Sequence, residues 1–140
     1  MFNSNNKKDY NPNENVLGNL TANQKMSVIN LLGLIATSDG TLNKKEIEYL
    51  NTCSLGYSFE KCASYLDAEG TENMFNDLNH LTSFQKDYLI ITGFELIYCD
   101  GKANEKEMNI FGSAFEKLGY TEDAIIGVIQ KATLFSNKFM

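Results

Sequence analysis

Apolar residues recur at helical spacing along most of the chain. From Ala22 to Ser38, Met26, Ile29, Gly33 and Ala36 return every three or four positions, and Leu89/Ile90, Phe94 and Ile97 do the same between Ser83 and Cys99. In both segments the apolar surface wraps past one stripe, which predicts two helices at the centre of the fold. Thr21-x-x-Gln24 and Thr82-x-x-Gln85 open them as capping boxes: the hydroxyl accepts an orphan amide hydrogen and the glutamine reaches back. Each ends at Asp-Gly, where Gly40 and Gly101 supply the positive φ of a helix stop. Asn43-x-x-Glu46 and Asn104-x-x-Glu107 then cap helices at about Lys44–Leu55 and Glu105–Leu118, closed by Gly56 and Gly119. Ser58 and Thr121 open the next, about Phe59–Leu66 and Glu122–Phe135, and Thr71 opens a bridging helix at Glu72–Asn79. The expected fold is all-α, with about seven helices and no strand.

The pattern of the first half returns in the second at an offset of 61 residues. LTANQK at Leu20–Lys25 matches LTSFQK at Leu81–Lys86, and SDGTLNKKEI at Ser38–Ile47 matches CDGKANEKEM at Cys99–Met108. Ten of 31 ungapped positions are identical between Leu20–Leu50 and Leu81–Phe111, far above chance for unrelated segments. Two inserted residues then align Leu55-Gly56-Tyr57 with Leu118-Gly119-Tyr120. The reading is a tandem duplication: two pseudo-symmetric three-helix repeats at about residues 20–66 and 81–135. Residues 18–140 are expected to form one domain. Residues 1–17 carry the only proline and almost nothing apolar, with six asparagines in the first fifteen positions, and are expected to be disordered or loosely packed.

Charge and composition narrow the function classes. A chain of 140 residues suits a single domain that folds without a disulfide or metal staple. The net charge is -6, and every basic residue is Lys. This balance argues against nucleic acid and anionic membranes as partners, and the absence of Arg argues against phosphate clamps and base readout. No apolar run approaches the length of a membrane span, and no secretory signal is seen. Cys53, Cys62 and Cys99 are odd in number and lack CxxC spacing, which points to reduced thiols and a cytoplasmic location.

The candidate chemistry lies at the Asp-Gly turns. An EF-hand reading places Asp39 and Glu46 at positions 5 and 12 of a calcium loop, but positions 1 and 3 become Ile35 and Thr37, or Leu96 and Tyr98 in the second copy. Those positions normally supply oxygen ligands, which argues against an EF-hand. A shared site remains. Asp39, Glu46, Asp100 and Glu107 converge if the pseudo-twofold axis brings the turns together, and such a set suits calcium or magnesium. The competing reading gives the two glutamates to capping and the two aspartates to the turns. Glu95, between Phe94 and Leu96, either faces a polar site at the repeat interface or emerges on an exposed edge. His80, the only histidine, reads as a polar residue near a helix end. No GxSxG, HExxH or phosphate-loop pattern occurs, which argues against an enzyme. At the C-terminus, Phe135, Phe139 and Met140 keep helical spacing, for docking on the domain's own core or on a partner.

Helix, Asp-Gly and acidic helix, used twice in ATSDGTLNKKEIEYL (Ala36–Leu50) and IYCDGKANEKEMNIF (Ile97–Phe111) with Leu-Gly-Tyr steps at Leu55 and Leu118, resemble the tellurite-resistance TerB-like family. The resemblance spans about Leu20–Phe135. It implies an all-α fold of seven helices, a cytoplasmic bacterial protein of stress response, and divalent-cation binding through Asp39, Glu46, Asp100 and Glu107. The function expected from these readings is a non-enzymatic interaction module, monomeric or homodimeric, that binds a protein partner with a divalent cation as a further ligand. A metal-ion or small-ligand sensor, and after it an unrecognised enzyme, are the alternatives.

Overall fold

Thr21 and Thr82 each close a reciprocal capping box. The threonine hydroxyls accept from the N–H groups of Gln24 and Gln85 at 3.1 Å, and the glutamine side chains accept from the threonine N–H groups at 3.0 and 2.9 Å. These caps start two of the six helices among the described residues of this computed structural model. It describes residues 16–139 except positions 18, 41, 54, 100, 102 and 103, and gives only the backbone of 134–139. The expectations for residues 1–15 and for Phe135, Phe139 and Met140 fall outside the described residues.

In chain order the helices are α1 (Ala22–Ala36), α2 (Lys44–Thr52), α3 (Phe59–Asn79), α4 (Ser83–Tyr98), α5 (Glu105–Lys117) and α6 (Glu122–Phe139). The described residues include no strand, and none of their helices is long and apolar enough to cross a membrane. α1 buries nine residues, Met26–Leu32 without interruption and then Ile35 and Ala36. It packs against α2, α3, α4 and α5, while α4 packs against α1, α2, α5 and α6. The two helices with apolar surface all round therefore occupy the centre, because only there is every face covered. The core begins at Leu17, which is buried, and Gln85 ties that entry down by donating from Nε2 to the Val16 carbonyl at 3.3 Å.

α3 differs from expectation. The pattern predicts a break between Leu66 and Thr71, but the helix runs on to Gly70, the one non-helical residue within Phe59–Asn79 (φ 85°, ψ 166°). That backbone conformation is essentially open to glycine alone. Hydrogen bonds across the bend and to α1 fix it. The Tyr65 hydroxyl, before Gly70, donates to Asp77 Oδ2, after it, at 2.7 Å. On α1, Ser27 donates to the same oxygen at 2.7 Å, and Asn30 Nδ2 donates to the Cys62 carbonyl at 2.9 Å. α1 thus holds both arms of α3, and its two buried polar residues are satisfied by that grip.

α4 and α5 approach closely at Gly93. A Cβ there would lie 2.9 Å from Phe111 Cε1. Phe111 in turn packs edge-on against Phe115 at 5.1 Å between ring centroids, and Phe115 against Tyr120 at 6.1 Å. The Tyr120 hydroxyl, just before α6, donates to Asp87 Oδ1 on α4 at 2.6 Å. This aromatic run fixes how α5 and α6 sit on α4, and with it the surface between them.

Candidate functional site

The first Asp-Gly turn follows α1 directly. Gly40, at φ 89°, donates its N–H to the Thr37 carbonyl at 2.9 Å and turns the chain toward α2. Asn43 then caps α2 in a complete box: its Oδ1 accepts from the Glu46 N–H at 2.9 Å, and Glu46 Oε1 accepts from the Asn43 N–H at 3.1 Å. Glu46 is 3% exposed. One of its oxygens is committed to its own helix start, as the capping reading requires.

Asn104 opens α5 by accepting the Glu107 N–H on Oδ1 at 3.1 Å. Its Nδ2 points the other way and donates to Asp39 Oδ2 at 2.9 Å. The first Asp-Gly turn is therefore seated at the start of the second acidic helix. Glu107, also 3% exposed, lies one turn further on. Of the four carboxylates singled out in the sequence, this contact joins Asp39 to the helix that carries Glu107. Asp100 falls outside the described residues. Among the described residues no group of three or more His, Cys, Asp or Glu side chains is placed to hold a metal ion, and every buried side-chain nitrogen and oxygen has a hydrogen-bond partner. Asp39, Glu46 and Glu107 are therefore not gathered into one metal-binding group.

Glu95 emerges exposed on α4 and accepts from the Tyr49 hydroxyl of α2 at 2.9 Å. Burial raises the Tyr49 phenol above its ordinary pKa, and the charge of Glu95 raises it further. The pair is a tie between two helices. His80 ends α3, and its Nδ1 bonds the Asn76 carbonyl at 2.8 Å, a local closure of the helix end.

Sequence reasoning did not find a groove between α5 and α6 of about 580 Å³. Phe111 and Ile125 form its buried floor, with Phe94, Met108, Ile126 and Ile129 along its walls. Ile126 is 43% exposed and Ile110, beside the groove on α5, is 41% exposed. Glu116 and Glu122, both exposed, stand where the four residues between α5 and α6 close one end. Gly112 lines the α5 wall, and a Cβ built on it meets no atom within 4 Å. A mid-helix glycine costs about 0.5–1 kcal/mol relative to alanine, and none of the described residues sterically requires it. On the other flank of α6, Phe84 is 70% exposed and forms a second apolar hollow with Tyr88, Ile91 and Val128. One signal was available in the sequence: α6 places Ile125, Ile126, Val128 and Ile129 on more than the one face that an edge helix can bury.

Compared with known protein families, curated proteins and solved structures, the chain matches none of them.

Proposed function

We propose that the chain is a TerB-like helical interaction module of bacterial stress response that binds a protein partner through the α5–α6 groove. The observation that carries this reading is the groove itself: about 580 Å³, with an apolar floor, walls that mix apolar side chains with Asn109, Ser113 and Gln130, and Ile126 held 43% exposed. Its volume lies in the range of ligand-binding clefts. Exposed isoleucine beside exposed carboxylates is the arrangement of an interface, with an apolar centre and a polar rim. The TerB-like part rests on the resemblance of the two Asp-Gly segments. The duplicated architecture is supported by paired local geometry: matching capping boxes at Thr21 and Thr82, positive φ at Gly40 and Gly101, and asparagine caps at Asn43 and Asn104. The bend at Gly70 divides α3 into the third helix of the first repeat and a bridging helix, seven segments in all. Cys53, Cys62 and Cys99 form no disulfide, which fits a reducing cytoplasm.

The test is photo-cross-linking, in the cells that make the protein, from a benzophenone side chain placed at Ile126. A discrete protein adduct is expected from this position and not from Glu60, an exposed residue of α3. Identical patterns from both positions, or none from Ile126, would remove the reading.

A second reading, a divalent cation such as calcium or magnesium held by Asp39, Glu46, Asp100 and Glu107, is favoured by one observation. The Asn104–Asp39 contact places the first turn beside the helix that carries Glu107. Its chemistry is that of hard oxygen ligands.

A further inference from the structure

Resting on the docking reading above, we infer that the α5–α6 groove takes an amphipathic helix with basic residues at one end, presented by another protein. Three features select that occupant. The first is length. The groove is lined from Met108 to Glu116 on α5 and from Glu122 to Gln130 on α6. At 1.5 Å rise per residue each wall is roughly 12 Å long, about two helical turns. That length matches apolar anchors at i, i+3 or i+4, and i+7 of a docked helix.

The second is charge. Glu116 and Glu122 both stand at the closed end, and no Lys among the described residues lines the groove. Lys117, the one basic residue in the last turn of α5, is drawn away over the Phe75 ring at 5.0 Å. Glu116 sits in that last turn, where the carbonyl ends of the helix already repel a negative charge. Its placement works against its own helix and suits a cation brought by a partner.

The third is Gly112. A side chain here would meet none of the described residues, so their packing does not need the glycine. It leaves the α5 backbone bare in the groove wall, where a docked helix approaches most closely. Small residues at a helix crossing serve such an approach.

The experiment is selection of displayed random peptides of about twelve residues, enough for three helical turns, against the full chain. The enriched peptides are then titrated against variants by fluorescence anisotropy. The expected winners carry apolar residues at helical spacing and Lys or Arg at one end. Their affinity falls at least tenfold with Gly112→Leu and with Glu116→Lys/Glu122→Lys, and is unchanged by Glu60→Lys. Should Gly112→Leu fail to fold by circular dichroism, the charge-reversed pair decides the matter alone. Winners that compete for the groove but are acidic, uncharged or extended would overturn the basic helix and leave the docking reading standing. Winners insensitive to both variants, or no winners, would overturn both. Sedimentation of the chain alone provides one more arm: self-association abolished by Glu116→Lys/Glu122→Lys would put a second copy in the groove and overturn the assignment to another protein.

Discussion

The Asn104 side-chain amide donates to the Asp39 carboxylate at 2.9 Å across 65 positions of sequence. The same side chain caps α5 with its oxygen. One asparagine therefore starts a helix and fastens it to a turn from the other half of the chain. Asn104→Ala is expected to cost about 2 kcal/mol, from a lost cap and a lost hydrogen bond to a charged group. Asn104→Ser keeps a capping oxygen without the reach to Asp39 and costs about 1 kcal/mol. A double-mutant cycle of Asp39→Ala with Asn104→Ser, read by urea unfolding, should give a coupling of about 1 kcal/mol. Strictly additive costs would mean that the contact contributes nothing.

Two glycines in central helices should respond to alanine with opposite sign. At Gly93 the new methyl meets Phe111 at 2.9 Å in a fully packed region, and overpacking of this kind costs about 1–3 kcal/mol. At Gly33 of α1 nothing lies within 4 Å, so alanine gains about 0.5–1 kcal/mol of helix stability. Chemical denaturation of the two variants checks the sign. Phe111→Leu should recover part of the loss in the Gly93→Ala background.

Alkaline pH should unfold the protein through its tyrosine–carboxylate pairs. Burial raises the phenols of Tyr49, Tyr65 and Tyr120 above the ordinary tyrosine pKa, and Glu95, Asp77 and Asp87 respectively reinforce the shift. The folded state then keeps protons that the unfolded chain releases above about pH 10. Their contribution to stability is complete below that pH and is lost as pH rises toward the higher folded-state values. Absorbance titration should show these phenolates appearing together with unfolding. In Tyr120→Phe the stability should fall less steeply above pH 10. Equal slopes in the variant and the wild type would refute the link for Tyr120.

The cation reading makes a thermal prediction. An ion that binds only the folded state, at a hundred times its dissociation constant, adds about 2.7 kcal/mol. For a domain of this size that is a rise in Tm of roughly 5–10 °C. Calcium, magnesium or manganese at millimolar concentration should produce it in the wild type and not in Asp39→Asn/Asp100→Asn. No shift in either protein would remove the cation reading and leave Asp39 a structural residue that accepts from the Asn104 amide.

What was legible in the sequence was local. Thr21-x-x-Gln24, Thr82-x-x-Gln85 and Asn43-x-x-Glu46 act over three residues, and their caps form as the spacing requires. The central placement of α1 and α4 was legible too, since apolar surface on every side leaves no other position. Two helix ends were read too long. α1 stops at Ala36 and not Ser38, because the Thr37 and Ser38 hydroxyls turn back to the Gly33 and Ile35 carbonyls. α2 stops at Thr52 and not Leu55, where Leu55 itself takes a positive φ of 48°. The contacts Asn104–Asp39 and Ser27–Asp77 left no local trace, since each depends on how helices far apart in the chain are docked. The groove left one local trace, the spread of isoleucines around α6, but its place depends on the same docking. Ile125 and Ile126 are neighbours of one residue type, and only the seating of α6 on α4 and α5 buries the first and exposes the second.

The bend at Gly70 resembles a hinge in outline, yet it is sewn shut. Tyr65 and Asp77 close it from within, while Ser27 and Asn30 of α1 hold one arm each. Straightening α3 would strip two buried polar groups of α1 of their partners at the same time. The backbone amides on either side of Gly70 therefore belong to the same cooperative unit as the central helix. They should exchange with solvent deuterium at the pace of α1, far slower than an exposed glycine kink exchanges by local fraying.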